Sequence, residues 1–406
     1  MIRFHAPRPA FAAPSRRMFI GTTTMGLAGL LSGCADINSN FPPVGQPAGP
    51  GSAGPVTGNV IGNGPVRIAL ILPLTAQNGA VPAQALRNAA EMAIAEFNTQ
   101  ELTILVKDDK GTPEGAQAAA QEAIQEGAEA ILGPLFAPTV TAVATVARAV
   151  NRPMIAFSTD ASVAARGVYL LSFMPQSDVR RVMSFAAQRG KKSFSALIPQ
   201  SSYGNVTEAE FTQFVAQSGA RLVSVERYEP SKASLEAAIG RLKGGIGQAD
   251  SLFIPDDGNS LPGVVTALQA AGITSRSVQF LGTGVWNEPR VFKIAGLNGG
   301  WFAAPDGAGF QNFAQRYRAR FNADPTRIAT LSYDATALLG ALAKQQGSQR
   351  FSEQVLTNAS GFSGQDGIFR FRADGANERG LSVFQIGAGN VSVVQPAPRA
   401  FGQPGT

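Results

Sequence analysis

Short apolar runs and amphipathic stripes alternate along most of this chain. Val66–Leu72 reads as a buried strand and stops at Pro73-Leu74-Thr75, a strong turn signal. Leu86, Ala89, Ala90, Ala93, Ile94 and Phe97 then share one face of a helix predicted over 83–97. Leu102–Val106 predicts the next strand, ending at Asp108-Asp109. Thr112-Pro113-Glu114 is suited to start a helix: a capping hydroxyl, a proline whose missing N–H costs nothing in the first turn, and an acid at the positive end of the helix dipole. Ala130–Leu132 and Met154–Phe157 bracket a further helical stripe, Val140, Val143, Ala144, Ala147 and Val150, which gives a parallel β-α-β unit. In open α/β sheets ligands sit beyond the carboxyl ends of the strands. The loops Gly133–Ala137 and Phe157–Ser162 are therefore candidates for a site, although each also reads as an ordinary turn.

A strand over Val168–Met174 ends at Pro175, and the alternation starts afresh behind it. Helices over 179–188, 208–218, 235–242 and 261–271 interleave with strands over 194–198, 222–228, 251–254 and 278–281. The restart predicts a second α/β domain, for which 406 residues leave room. Trp301–Ala304 predicts another strand, followed by helices over 310–321 and 329–346. Ile368–Phe371 and Leu381–Ile386 read as a small antiparallel piece, and 395–406 as a flexible tail.

The first 64 residues follow a different pattern. Ser15-Arg16-Arg17-Met18-Phe19-Ile20 has twin arginines before a modestly apolar, glycine-rich stretch, and Leu31-Ser32-Gly33-Cys34 follows. The stretch is too short to span a bilayer. Residues 1–33 resemble a lipoprotein signal peptide, with Cys34 as the acylated first residue of the mature chain; the adjacent arginines fit either twin-arginine or general secretion. Residues 34–64 are rich in Pro, Gly, Ser and Asn and read as a flexible tether. Such a coil has a root-mean-square reach of roughly 30 Å. The formal charge is +6, but Arg3, Arg8, Arg16 and Arg17 lie in the signal, and without them it is +2. This leaves no reason to expect nucleic acid as a partner.

The single histidine, His5, lies in the signal, and the single cysteine is Cys34. A mature chain without histidine excludes Ser-His-Asp and Cys-His nucleophiles and zinc sites of the His/Cys type. No GxxxxGK[ST] or GxGxxG loop follows a strand. The paired acids Asp108-Asp109 and Asp256-Asp257 end strands, where capping and solvated turns are the default. The expectation is a protein that is not an enzyme and carries neither cofactor nor metal.

The order of Val66–Thr75, Ile131–Ala137, Pro153–Asp160, Tyr203-Gly204 and Phe280–Gly284 resembles the type I periplasmic binding proteins of the leucine/isoleucine/valine-binding class. The likeness spans Val66 to Ile386. It implies a two-lobed α/β fold, each lobe a mainly parallel sheet flanked by helices, with three hinge crossovers near Phe173–Gln176, Trp301–Asp306 and Phe362–Asp366. Lobe 1 would be 65–174 with 302–361, and lobe 2 would be 175–301 with 362–394. Leu72-Pro73-Leu74-Thr75, Ile131–Phe136, Ile155–Asp160, Leu281–Trp286, Gly299–Asp306 and Asp366–Phe371 look most like the bacterial penicillin-binding protein activators, lipoproteins of this fold that touch a peptidoglycan synthase. That likeness implies a regulator of cell-wall synthesis with a penicillin-binding protein as partner. The alternative is the substrate-binding subunit of an ABC importer for branched-chain or other amino acids or small amides, with an ABC permease as partner. Either protein would sit in the periplasm, attached to a membrane only through its N-terminal lipid, and Ala35 after the cysteine favours the outer membrane.

The resemblance also implies where a solute would lie. Leu74, Thr75, Phe136, Ala137, Phe157, Ser158, Thr159 and Asp160 would form the lobe 1 side of the cleft, and Tyr203, Asp256, Thr283, Gly284 and Trp286 the lobe 2 side. The family's serine after Phe136 is Ala137 here, and the acid of the Gly282–Val285 turn is Gly284. An enclosed ammonium needs a paired charge. Asp160 is the candidate to supply it, unless it merely caps a turn. Phe136, Phe157, Tyr203 and Trp286 line an aromatic cleft on this reading, or serve as packing.

Overall fold

The computed structural model describes residues 55–401, apart from 57 and 99. The signal, Cys34 and most of the tether lie outside the described residues. The first sheet contains β1 (Asn59–Gly62), β2 (Val66–Leu72), β3 (Leu102–Asp108), β4 (Ile131–Leu132), β5 (Met154–Ala156) and β6 (Val168–Leu170). They lie in the order β1-β3-β2-β4-β5-β6, all parallel except the edge strand β1. Helices α1 (Ala80–Glu96), α2 (Pro113–Gln125) and α3 (Ala137–Ala149) connect the strands. The side chain of Thr112 caps α2 by accepting the Gly115 N–H at 3.0 Å.

After Met174 the chain enters a second sheet. It passes through α4 (Pro175–Gln188), β7 (Ser193–Pro199), α5 (Ser202–Ser218), β8 (Arg221–Tyr228), α6 (Lys232–Lys243), β9 (Ser251–Phe253), α7 (Leu261–Ala270), β10 (Gln279–Gly282) and β11 (Trp301–Ala304). Two long helices, α8 (Gly307–Phe321) and α9 (Ala329–Gln345), lead to β12 (Phe362–Gly364), β13 (Gly367–Phe371), β14 (Asn377–Arg379), β15 (Ser382–Ile386) and β16 (Val391–Gln395). The second sheet has the order β16-β15-β11-β10-β9-β7-β8, and β12-β13-β14 form a small third sheet. Both faces of each large sheet are covered, which is what near-continuous apolar strands such as Ile68–Leu72 require. This is the two-lobed α/β arrangement expected from the alternation.

Five details differ from the sequence reading. Residues 59–62 lie in the stretch read as tether, yet they pair with β3 and bury Ile61; two apolar residues, Val60 and Ile61, were too weak a pattern to announce a strand. β11 joins the second sheet beside β10, so 302–304 belong to lobe 2 rather than lobe 1; the second crossing falls within the expected Trp301–Asp306 stretch, at Pro305-Asp306, where Asp306 accepts the Ala308 N–H and starts α8. Phe369 and Phe371 pack into the first core, whereas Leu381 packs into the second. The third crossing therefore runs through Arg379–Leu381 rather than Phe362–Asp366. Ile368–Phe371 and Leu381–Ile386 do not pair with each other: β13 lies between β12 and β14, and β15 between β11 and β16. The start of the expected tail is also tied down, with Arg181 donating to Pro396 O and Arg370 over the Phe401 ring.

Candidate functional site

Each large sheet reverses its strand order once, between β2 and β4 in the first and between β7 and β9 in the second. Crevices form at such reversals, beyond the carboxyl ends of the strands. The loops that follow these strands carry Thr75, Phe136, Tyr203 and Asp256.

On the lobe 1 side, the turn after β4 is fixed by Gly133. Its φ is +86°, and a Cβ there would lie 2.1 Å from Ile71 O. Phe136 is half-buried, with its ring against Gly79, and Leu74 is half-buried against the first core. Ala137 opens α3 and offers no hydroxyl. The exposed Thr75 hydroxyl donates to Asp108 at 2.6 Å. Burial alone would raise the Asp108 pKa, but hydrogen bonds from Thr75 and Lys110 outweigh it and lower the carboxyl. Ser158 is buried and accepts the Asp160 N–H. Thr159 and Asp160 are exposed, and Asp160 spends its carboxylate on the Ser162 N–H at 2.9 Å. Asp160 thus caps a short turn. Phe157 is 2% exposed and belongs to the first core, so the expectation that it lines the cleft is corrected.

The lobe 2 side is built differently. Tyr203 lies in the first turn of α5, where Gly204 passes so close to Pro199 O that a Cβ would clash. The Tyr203 and Thr283 hydroxyls share a 2.7 Å hydrogen bond, and Thr283 is fully buried. Burial, reinforced by the charge of Asp178, raises the Tyr203 pKa. Asp256 is 3% exposed and accepts from the Tyr228 hydroxyl at 2.7 Å. Its carboxyl is pushed up to about 6 by burial. Trp286 is fully buried against Phe302, under Gly282, so it too is packing rather than cleft lining. A large side chain in a strand-end turn has the same sequence signature whether it faces a ligand or a core.

The acid missing from the Gly284 turn comes from elsewhere. Asp178, in the first turn of α4, accepts the Gly284 N–H at 2.9 Å. A Cβ on Gly284 would lie 2.8 Å from the Asp178 Oδ2, so the carboxylate borders the space such a side chain would enter. Burial pushes Asp178 up to about 7, against the Gly284 hydrogen bond and the charge of Arg379. From sequence, Asp178 is indistinguishable from an acid placed to complement a helix dipole.

No group of three or more metal-ligating side chains occurs among the described residues. The paired acids are instead used locally: Asp109 accepts the Gly111 N–H, Asp257 those of Asn259 and Ser260, and Asp256 the Tyr228 hydroxyl.

Residues 65–390 match a family model described as periplasmic binding protein. The chain belongs to the periplasmic binding protein family. Solved members of the fold span most of this binding protein and nearly all of their own length. A branched-chain amino acid ABC transporter periplasmic ligand-binding protein from Burkholderia xenovorans superposes with a TM-score of 0.66 at 15% identity, covering 83% of this chain and 96% of its own. An ABC transporter substrate-binding protein from Desulfitobacterium hafniense in complex with Leu gives 0.60 at 19% identity, covering 81% and 99%. A solute-binding protein of an ABC transporter from Rhodopseudomonas palustris in complex with 3,4-dihydroxybenzoic acid gives 0.58 at 18% identity, covering 84% and 98%. At these identities the likeness is one of fold. No curated protein matches the sequence significantly.

Proposed function

We propose that this periplasmic binding protein is the solute-binding subunit of an ABC importer, held at the cell envelope through Cys34. The observation that carries the reading is the lobe 2 wall, where the buried Thr283 and Asp256 and the half-buried Tyr203 and Asp178 bring polar groups to a strand-order reversal. Pockets that orient small solutes combine apolar walls with a few fixed polar groups of this kind. The relatives named above are ABC transporter proteins, and the two with a named ligand hold a small carboxylic acid. Thermal unfolding of the mature protein against amino acids, their amides and hydroxybenzoates tests the reading. A true solute at a hundredfold excess over its Kd stabilises by about 2.7 kcal/mol. Silence across the whole panel would overturn it.

A second reading, a penicillin-binding protein activator that regulates peptidoglycan synthesis by touching its synthase, draws support from the lobe 1 loops. Ala137 has no hydroxyl, and the Thr75 and Asp160 side chains are spent on neighbouring turns. Retention of a peptidoglycan synthase on the immobilised protein, with a change in its rate, is the outcome this reading requires.

A further inference from the structure

Opposite the cleft, lobe 1 has an arginine pocket that solute binding does not use. The Arg152-Pro153 and Arg166-Gly167 turns precede β5 and β6, at the amino ends of strands whose carboxyl ends face the cleft. Together with Arg148, in the last turn of α3, they line a cavity of about 480 Å³. Arg166 pairs with Glu353 at 2.7 Å. Arg148 and Arg152 are exposed, and neither forms an ion pair or a side-chain hydrogen bond among the described residues. Three guanidinium groups thus face one carboxylate.

The back wall adds a donor. Tyr169 is 1% exposed and packs its ring against Phe371 while lining the pocket. Its hydroxyl has the Gly167 N–H beside it and no acceptor for its own proton among the described residues. Burial, reinforced by the charge of Glu353, raises its pKa, so the proton stays in place. Guanidinium forks match phosphate oxygens in pairs, and a phenol O–H is a further donor to an oxyanion. A phosphate monoester is close to doubly charged near neutral pH, which two uncompensated arginines match better than a single carboxylate would.

The surface next to the pocket has a different chemistry. Ser352 lines the pocket and also lines a groove of about 870 Å³ along the end of α9. Leu342, Val355 and Phe362 give this groove an apolar floor continuous with the first core. Gln345, Gln346, Gln349 and Gln354 are exposed around it, and their side-chain amides form no hydrogen bond among the described residues. Among the described residues no charged side chain lines the groove. Each amide offers donors and an acceptor at once, which suits hydroxyl groups, and the apolar floor suits the C–H face of a sugar ring.

We propose that this face of lobe 1 binds a phosphorylated saccharide, with the phosphate held by Arg148, Arg152 and Tyr169 and the sugar lying in the glutamine groove. The site is separate from the solute cleft and does not depend on it.

Calorimetric titration of the mature protein at low ionic strength with glucose 6-phosphate, inorganic phosphate and glucose tests the site. Glucose 6-phosphate should bind about tenfold more tightly than inorganic phosphate, the gain from one or two added hydrogen bonds. Replacing both arginines, Arg148→Gln with Arg152→Gln, should weaken both phosphates at least about tenfold. Gln345→Ala with Gln349→Ala should erase the advantage of the sugar phosphate and leave inorganic phosphate unchanged. All four positions are exposed, and melting curves establish that the variants fold. Glucose binding as tightly as its phosphate, a sugar phosphate no tighter than inorganic phosphate, full affinity in the folded arginine variant, or no binding of any probe overturns the proposal.

Discussion

The two sides of the cleft spend their polar groups in opposite ways. On lobe 1, Thr75 and Asp160 are exposed and satisfy turns beside them. On lobe 2, Thr283 and Asp256 are buried, and Tyr203 and Asp178 reach across from helix starts to join strand-end turns. Exposed groups lose little when they are removed, because water replaces the partner, whereas buried ones strand whatever they were holding. The lobe 1 rim should therefore tolerate substitution, and the lobe 2 wall should carry both structure and recognition.

The largest expected effect tests whether the lobe 2 wall is backed by core. Trp286→Ala should cost about 3–5 kcal/mol in denaturant unfolding, as for other large buried aromatics. A cost near that of an exposed residue would mean that Trp286 faces the cleft after all. Next comes Tyr203→Phe, which leaves the buried Thr283 hydroxyl without its partner and should cost about 1–3 kcal/mol. Stability unchanged by that substitution would break the contrast between the walls.

The third prediction uses pH. Asp178 and Asp256 have carboxyls raised by burial, to about 7 and about 6, so the folded protein binds their protons more tightly than the unfolded chain. Their contribution is fully present below the usual carboxylate range and is lost as pH rises through about 6 to 7. Asp109 and Asp334 act with the same sign, whereas Asp108, whose pKa is lowered, contributes above that range and loses its contribution as pH falls. Melting temperatures across pH 4.5 to 7.5 should therefore decline less steeply in Asp178→Asn than in the parent; an unaltered slope would contradict the burial of that carboxyl. The smallest effect is expected at Asp160→Ala, where loss of an exposed cap should cost at most about 1 kcal/mol.

Much of the fold was legible because its elements follow strong periodic signals. The Thr112-Pro113 start of α2 and the strand Trp301–Ala304 are read directly from local chemistry. The crossings were harder, since β11 and β13 are assigned to a lobe by what they pack against, which periodicity does not encode. The same limit applies to the site. Tyr203, Thr283 and Gly284 could be located from their turns, but Phe157 and Trp286 point inward, and nothing local separates a lining aromatic from a packed one. Asp178 went unread for the opposite reason. It looks like an ordinary first-turn acid, and only its hydrogen bond to the Gly284 turn sets it apart.

The central claim is that recognition belongs to the lobe 2 wall. The most direct test titrates amino acids and hydroxybenzoates into Asp178→Asn and Asp160→Asn proteins side by side with the parent. The account predicts that Asp178→Asn weakens amino-acid binding at least about tenfold while Asp160→Asn matches the parent, since only the first removes a carboxylate that borders the space beside Gly284 and can pair with an ammonium. Binding lost in Asp160→Asn and kept in Asp178→Asn would contradict it.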